Sequence, residues 1–117
     1  MMARRFFFLL LLLAALFPAA APAADADAAF RQAKQAYQDL LDAPKKKLYR
    51  ENWLKLIERL QKLAQSHPDS PRAPEALFIA AKAGAGLYEV SQVKSDADRA
   101  VELYAESARS YPASSLA

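Results

Sequence analysis

Phe30, Ala33, Tyr37, Leu40 and Leu41 recur at intervals of three and four, in a segment whose other positions are mostly Gln, Lys, Asp and Arg. That is the helical period, and it predicts a first helix over about 28–43. Asp25 or Asp27 stands where a carboxylate would accept the unpaired N–H groups of its first turn. Pro44 cannot sit inside a helix without losing a hydrogen bond, yet it suits a first helical position. The pattern therefore predicts a stop near Asp42 and a second helix over 44–66. Trp53, Leu56, Ile57, Leu60, Leu63 and Ala64 form its apolar stripe, and the i,i+4 pairs Glu51 with Lys55 and Glu58 with Lys62 mark its solvent face.

His67 to Pro71 break the period. Ser70 is a suitable N-cap with Pro71 at the first helical position, which predicts a third helix over 72–90. Leu77, Ala80, Ala81, Ala83, Gly84, Leu87 and Tyr88 are its apolar or small positions. Gly84 and Gly86 each cost about 1 kcal/mol against alanine in a helix interior, a cost that close approach of a neighbouring helix would offset. Ser91 to Ser95 read as a polar connection, with Ser95 and Asp98 at the capping-box offset. The fourth helix, over 96–111, carries Ala97, Ala100, Val101, Tyr104, Ala108 and Tyr111 up to Pro112. No segment alternates with period two, so the expected fold is all-α, two antiparallel helical hairpins.

The segment ahead of these helices changes the picture. Arg4 and Arg5 precede an apolar run from Phe6 to Phe17, followed by Pro18 and small residues. A basic start, a short apolar core and an A-x-A tail are the order of a cleavable secretory signal peptide. The run is shorter than the roughly 20 residues that span a bilayer. The expectation is a signal peptide over 1–23, cut after Ala23, and an exported chain without a transmembrane span, in the periplasm. The formal charge of +3 then shrinks, because loss of Arg4 and Arg5 leaves 14 basic against 13 acidic residues. That balance argues against a nucleic-acid partner. The absence of cysteine excludes disulfides, thiolate chemistry and a cysteine-linked lipid anchor. About 94 residues remain, room for one domain with a simple core.

An internal repeat is the most informative feature. Ala64, Ser66, Pro68, Ser70 and Ala73 recur as Ala108, Ser110, Pro112, Ser114 and Ala117, and His67 is answered by Tyr111, an offset of 44 residues. Repeats of this kind stack helical hairpins through their apolar faces. On Ala100, Tyr104 and Pro112, and on Leu56, Leu60 and Pro68, the chain resembles the second-helix signature of the tetratricopeptide superfamily. Leu77, Ala80 and Ala81 fit its first-helix signature, with Gly84 where a tyrosine is usual. This resemblance implies a tetratricopeptide-like solenoid fragment, and because Ala117 falls where another hairpin would begin, the expectation is a domain over 24–117 truncated at its C-terminus. The stretch from Ala36 to Tyr49, with Trp53 and Leu54, also resembles the N-terminal helical region of periplasmic N-acetylmuramoyl-L-alanine amidases. That resemblance implies a cell-envelope setting, with zinc hydrolase chemistry in a domain outside this chain.

Candidate chemistry is sparse. A zinc site needs three or four converging ligands, and the chain has one histidine. His67 at a helix end reads as structural, favoured there by the helix dipole. Asp98, Glu102 and Glu106 form a like-charged ladder that reads as a solvated face. No catalytic, metal-binding or cofactor-binding residue is expected, and no cofactor. Lys45, Lys46 and Lys47, placed in the first turns of the second helix, are candidates for contact with an anionic surface. Tyr49, Trp53, Tyr88 and Tyr104 are candidates for binding a partner. The functional expectation is a non-catalytic scaffold that holds a protein partner in the cell envelope or another copy of itself; the alternative is the N-terminal part of a cell-wall amidase.

Overall fold

The computed structural model describes residues 22–111. They form four α-helices, α1 (Pro22–Leu41), α2 (Arg50–Ser66), α3 (Ala73–Ser91) and α4 (Lys94–Ser110), with one turn of 3-10 helix at Lys46–Leu48 between α1 and α2. No strand occurs among the described residues, so the protein is all-α there. The expected signal peptide lies outside the described residues except at its last two positions, and Pro112 lies beyond them.

The helix boundaries differ from the sequence expectation in three places, each for a local reason. α1 starts at Pro22, ahead of Asp25 and Asp27. Proline is tolerated where no N–H is needed, and the alanines that follow are strong helix formers. Asp25 then favours the first turn electrostatically, while Asp27 reaches Arg72 at 3.4 Å.

α2 does not start at Pro44. The chain makes a wide turn first, closed by bonds from Lys47 N–H to the Ala43 carbonyl and from Tyr49 N–H to the Lys46 carbonyl. Side chains from the first turn of α2 tie this turn down: Asn52 Nδ2 donates to the Lys46 carbonyl at 2.9 Å and Trp53 Nε1 to the Lys47 carbonyl at 2.7 Å. The loop carbonyls thus find partners outside a helical ladder, and Lys45 to Lys47 precede α2 instead of forming its first turns.

The third difference is the connection from α3 to α4, which is only Gln92 and Val93. Gln92 takes the left-handed conformation (φ 58°, ψ 21°) that stops a helix. Val93 occupies the N-cap position, so Ser95 and Asp98 lie inside α4 and make no capping box. Ser70, likewise, is not the N-cap of α3, which begins at Ala73; its Oγ accepts the Arg72 N–H at 3.1 Å in the preceding turn.

α3 is the central element. It packs on α2 along one side and α4 along the other, while α1 lies mainly against α2. Ala73, Ala76, Leu77, Ile79, Ala80, Ala81, Ala83, Gly84 and Leu87 are all buried on α3, the near-continuous apolarity of an enclosed helix. Both of its glycines sit at close approaches, as expected. A Cβ on Gly84 would stand 3.2 Å from Ala100 Cα on α4, and one on Gly86 would stand 2.7 Å from Trp53 Cζ3 on α2. Phe30, Tyr37 and Leu40 of α1 and Trp53, Ile57 and Leu60 of α2 complete the core with Leu103 of α4. Removing a side chain the size of Ile57 or Leu60 from water stabilises the fold by about 1.5–3 kcal/mol.

The 44-residue repeat is present in the backbone. α2 and α4 each have 17 residues and begin and end 44 positions apart. Their N-caps Tyr49 (φ −98°, ψ 116°) and Val93 (φ −89°, ψ 124°) are both extended. Their C-caps His67 (φ −133°, ψ 60°) and Tyr111 (φ −137°, ψ 61°) nearly coincide, each donating its N–H to the carbonyl four residues back. The two helices run in the same sense, because Arg50 at the start of α2 pairs with Asp96 in the first turn of α4. Just past their far ends, the Tyr111 hydroxyl donates to the Pro68 carbonyl at 3.2 Å.

Candidate functional site

The termination of α1 by Pro44 and the wide turn after it leave an open groove of about 590 Å³ beside α2. Ala36, Leu40, Ala43 and Leu56 supply its apolar floor. Lys45 and Lys46 reach it from the turn, and Lys55 and Arg59, one helical turn apart, reach it from α2. Asp39 is the one carboxylate there, and it accepts a hydrogen bond from Gln35 at 2.9 Å. Of the three consecutive lysines, two therefore line the groove. Lys47 does not; its carbonyl instead anchors the Trp53 indole. A second depression follows α2 along Lys55, Arg59 and Lys62 to His67, with Glu58 bound to Lys62 at 3.2 Å. The expected Glu58 pair is thus formed on the solvent face.

A different surface lies on α4. Of the expected stripe of Ala97, Ala100, Val101, Tyr104, Ala108 and Tyr111, Ala100 is buried and Tyr111 packs partly against the core, but Val101, Tyr104 and Ala108 do not face it. Asp96, Ala100, Leu103 and Ser107 are the buried residues of α4, and only Ala100 belongs to both sets. Val101 is 68% exposed and Tyr104 39%. The physical reason is that small Ala100 and Ser107 let α4 come close to α3 at Gly84, while the buried carboxylate of Asp96 finds full compensation. Arg50 binds it through Nε and Nη2 at 2.9 and 2.8 Å, and Ser91 Oγ donates to it at 2.7 Å. The Arg50 guanidinium holds the Asp96 carboxyl below the ordinary carboxylate range against the opposing effect of burial, with Ser91 and Arg99 assisting. Sequence reasoning missed this pair; its signal, an acid in the first turn of a helix, is common to many exposed caps.

The four candidate aromatics separate by environment. Trp53 is 2% exposed and bonded to the turn, so it belongs to the core rather than to a binding surface. Tyr49 is exposed at the N-cap of α2. Tyr104 and Tyr88 are both exposed, on neighbouring helices. Tyr104 meets Phe78 of α3 edge-on at 5.8 Å and 71°. Tyr37 of α1 lies on the same side: burial raises its phenol pKa, and the neighbouring Tyr104 phenol adds to the rise. Phe78 of α3 and Tyr104 of α4 thus make one aromatic contact at the edge of the open face of α4.

Among the described residues, no group of three or more His, Asp or Glu side chains is placed to hold a metal. No helix there is long and apolar enough to cross a membrane. No protein-family model, curated protein or solved structure matches this chain. The two surfaces, a basic-rimmed groove and an apolar helix face with an aromatic edge, have the chemistry of binding.

Proposed function

We propose that this protein is a non-catalytic interaction module of the cell envelope, exported by its N-terminal segment, with a tetratricopeptide-like arrangement of helices that holds a protein partner. One observation carries this reading. Ile57, Leu60 and Ala64 on α2 are buried, and their counterparts 44 positions on, Val101, Tyr104 and Ala108 on α4, are open to solvent. In a stacked array each such stripe is covered by the next helix, and terminal faces left uncovered are usually polar. The outer face of α1 follows that rule, with Arg31, Gln32, Lys34, Gln35 and Gln38 exposed. The face of α4 does not, so it is the surface a partner helix would cover. The amidase resemblance supports the envelope setting and adds no chemistry to these residues.

A photo-crosslinking side chain placed at Tyr104, and separately at Gln38 on the polar face of α1, tests the reading in living cells. The expected result is a specific adduct from position 104 and none from position 38. Absence of any adduct from position 104 would overturn it.

A further inference from the structure

The geometry points to a second copy of this chain as the occupant of the open α4 face, with the two α4 helices antiparallel about a twofold axis. This rests on the interaction reading above and specifies its partner. The argument begins with the order of side chains along the stripe. In an antiparallel pair that centres on residues 102 and 103, Val101 of one copy meets Tyr104 of the other, and Ala97 meets Ala108. A large side chain thus faces a branched one at the centre, and alanines face each other at both ends, where they allow the backbones to approach. Ala97, Val101, Tyr104 and Ala108 follow the spacing of four, three and four that such a seam requires.

Charge supplies the second part. Asp98 and Arg109 lie on the same flank of the stripe, both exposed, and neither takes part in an ion pair among the described residues. A twofold axis perpendicular to antiparallel helices brings like flanks together, so Asp98 of each copy stands opposite Arg109 of the other. The interface is self-complementary in shape and in charge, as an isologous dimer requires. In a parallel arrangement the twofold runs along the helices and puts like flanks on opposite sides of the seam, so Asp98 and Arg109 would not meet. The seam also continues onto α3 through Phe78, which fixes the Tyr104 ring edge-on at 5.8 Å and so presents it already oriented. One helix from each copy makes a contact smaller than a standard interface of about 1,600 Å², so a weak, concentration-dependent dimer is expected.

Sedimentation velocity of the naturally processed chain, from about 1 to about 200 µM, covers the affinities expected for a contact of this size. The expected result is a concentration-dependent monomer–dimer equilibrium. Asp98→Arg alone and Arg109→Asp alone each put like charges face to face at two symmetric places, and each weakens the dimer about tenfold or more. The double variant restores it, a rescue that general damage to the fold would not give, and thermal unfolding followed by circular dichroism checks that each variant keeps its helices. A chain that stays monomeric throughout overturns the inference, as does a dimer indifferent to the single swaps or not rescued by the double one. If the chain is monomeric while position 104 still crosslinks to a different polypeptide, the self-association falls and the interaction reading stands. If position 104 crosslinks to nothing, both fall.

Discussion

α2 and α4 share length, sense and cap geometry, yet they are stabilised differently. α2 turns its larger apolar stripe inward, where Leu60 is 0% exposed, and it carries bulky Trp53, Leu56 and Ile57 beside it. α4 leaves Val101 and Tyr104 exposed and packs through Ala100, Leu103, Ser107 and a charged Asp96. The difference shows that a repeat in backbone and caps does not fix which face is buried. What decides is the neighbour: α2 lies between α1 and α3, whereas α4 meets α3 on one side. The stability of the fold should therefore be concentrated in α2 and the capacity to bind in α4.

The sharpest way to break that comparison is to truncate equivalent residues. Leu60→Ala removes a fully buried side chain and leaves a cavity, at an expected cost of about 3 kcal/mol. Tyr104→Ala, at the position 44 residues on, should cost less, about 1–2 kcal/mol, because the ring is already 39% exposed and loses part of its burial with its edge contact to Phe78. Urea unfolding of the two variants measures both. Equal costs would mean that the open face of α4 is covered in the isolated chain.

The next largest effect concerns the third residue of each helix. Asn52 of α2 donates to the Lys46 carbonyl, whereas Asp96 of α4 is 2% exposed and bound by Arg50 and Ser91. Asp96→Ala leaves the Arg50 side chain without its partner and the Ser91 hydroxyl without its acceptor, and should cost about 2 kcal/mol at neutral pH. The folded-state carboxyl titrates below its ordinary value of 3.8. Its contribution is therefore complete above about pH 4 and is lost as the pH falls from there through the depressed folded value. Asn52→Ala should cost about 1 kcal/mol with no such dependence. The stability difference between wild type and each variant, measured from pH 6 down to about pH 3, separates the ionic junction from the neutral one.

The glycines of α3 compare its two sides directly. Gly86→Ala drives a methyl group to 2.7 Å from the Trp53 ring, inside a packed core where Trp53 is also bonded to Lys47. Gly84→Ala meets the Ala100 backbone at 3.2 Å, tighter than ordinary contact yet short of an outright clash. Alanine gains about 1 kcal/mol of helix propensity at either site, while overpacking costs about 1–3 kcal/mol. The expected net is a loss of about 1 kcal/mol for Gly86→Ala and a change near zero for Gly84→Ala, read from the two unfolding midpoints.

These residues also show how far the sequence could be read. The helices of α2 and α3 were legible because their apolar positions fall on one stripe or nearly all round, and Gly84 and Gly86 were legible because a cost without a visible return implies a close neighbour. The face of α4 was not. Ala97, Val101, Tyr104 and Ala108 form a more apolar stripe than Asp96, Ala100, Leu103 and Ser107, and periodicity alone favours the former. Burial of Asp96 follows only once Arg50, 46 positions earlier, is known to lie beside it. Pro44 carried a comparable ambiguity, since it fits both a first helical turn and a loop; the side-chain bonds of Asn52 and Trp53 to loop carbonyls decide for the loop. That outcome in turn sent Lys45 and Lys46 to the groove and left Lys47 out of it.

The smallest effect lies in how the chain reaches the two helices. α2 is approached through the wide turn of Pro44 to Tyr49, whereas α4 is reached through Gln92 and Val93 alone, with Gln92 in the left-handed region. A residue with a Cβ pays about 1–2 kcal/mol there. Gln92 recovers part of that cost, because its Nε2 donates to the Glu89 carbonyl at 3.1 Å and lies 3.3 Å from the Tyr88 carbonyl, capping the end of α3. Gln92→Gly removes the strain and the side-chain cap together, so a gain of about 0.5 kcal/mol is expected. Gln92→Ala keeps the strain and loses the cap, and should instead destabilise by about 1 kcal/mol. A thermal midpoint that rises for glycine and falls for alanine assigns the tight connection to backbone geometry. If both substitutions lower it, the side-chain cap carries the junction, and the short approach to α4 depends on a side chain as the long approach to α2 depends on Asn52 and Trp53.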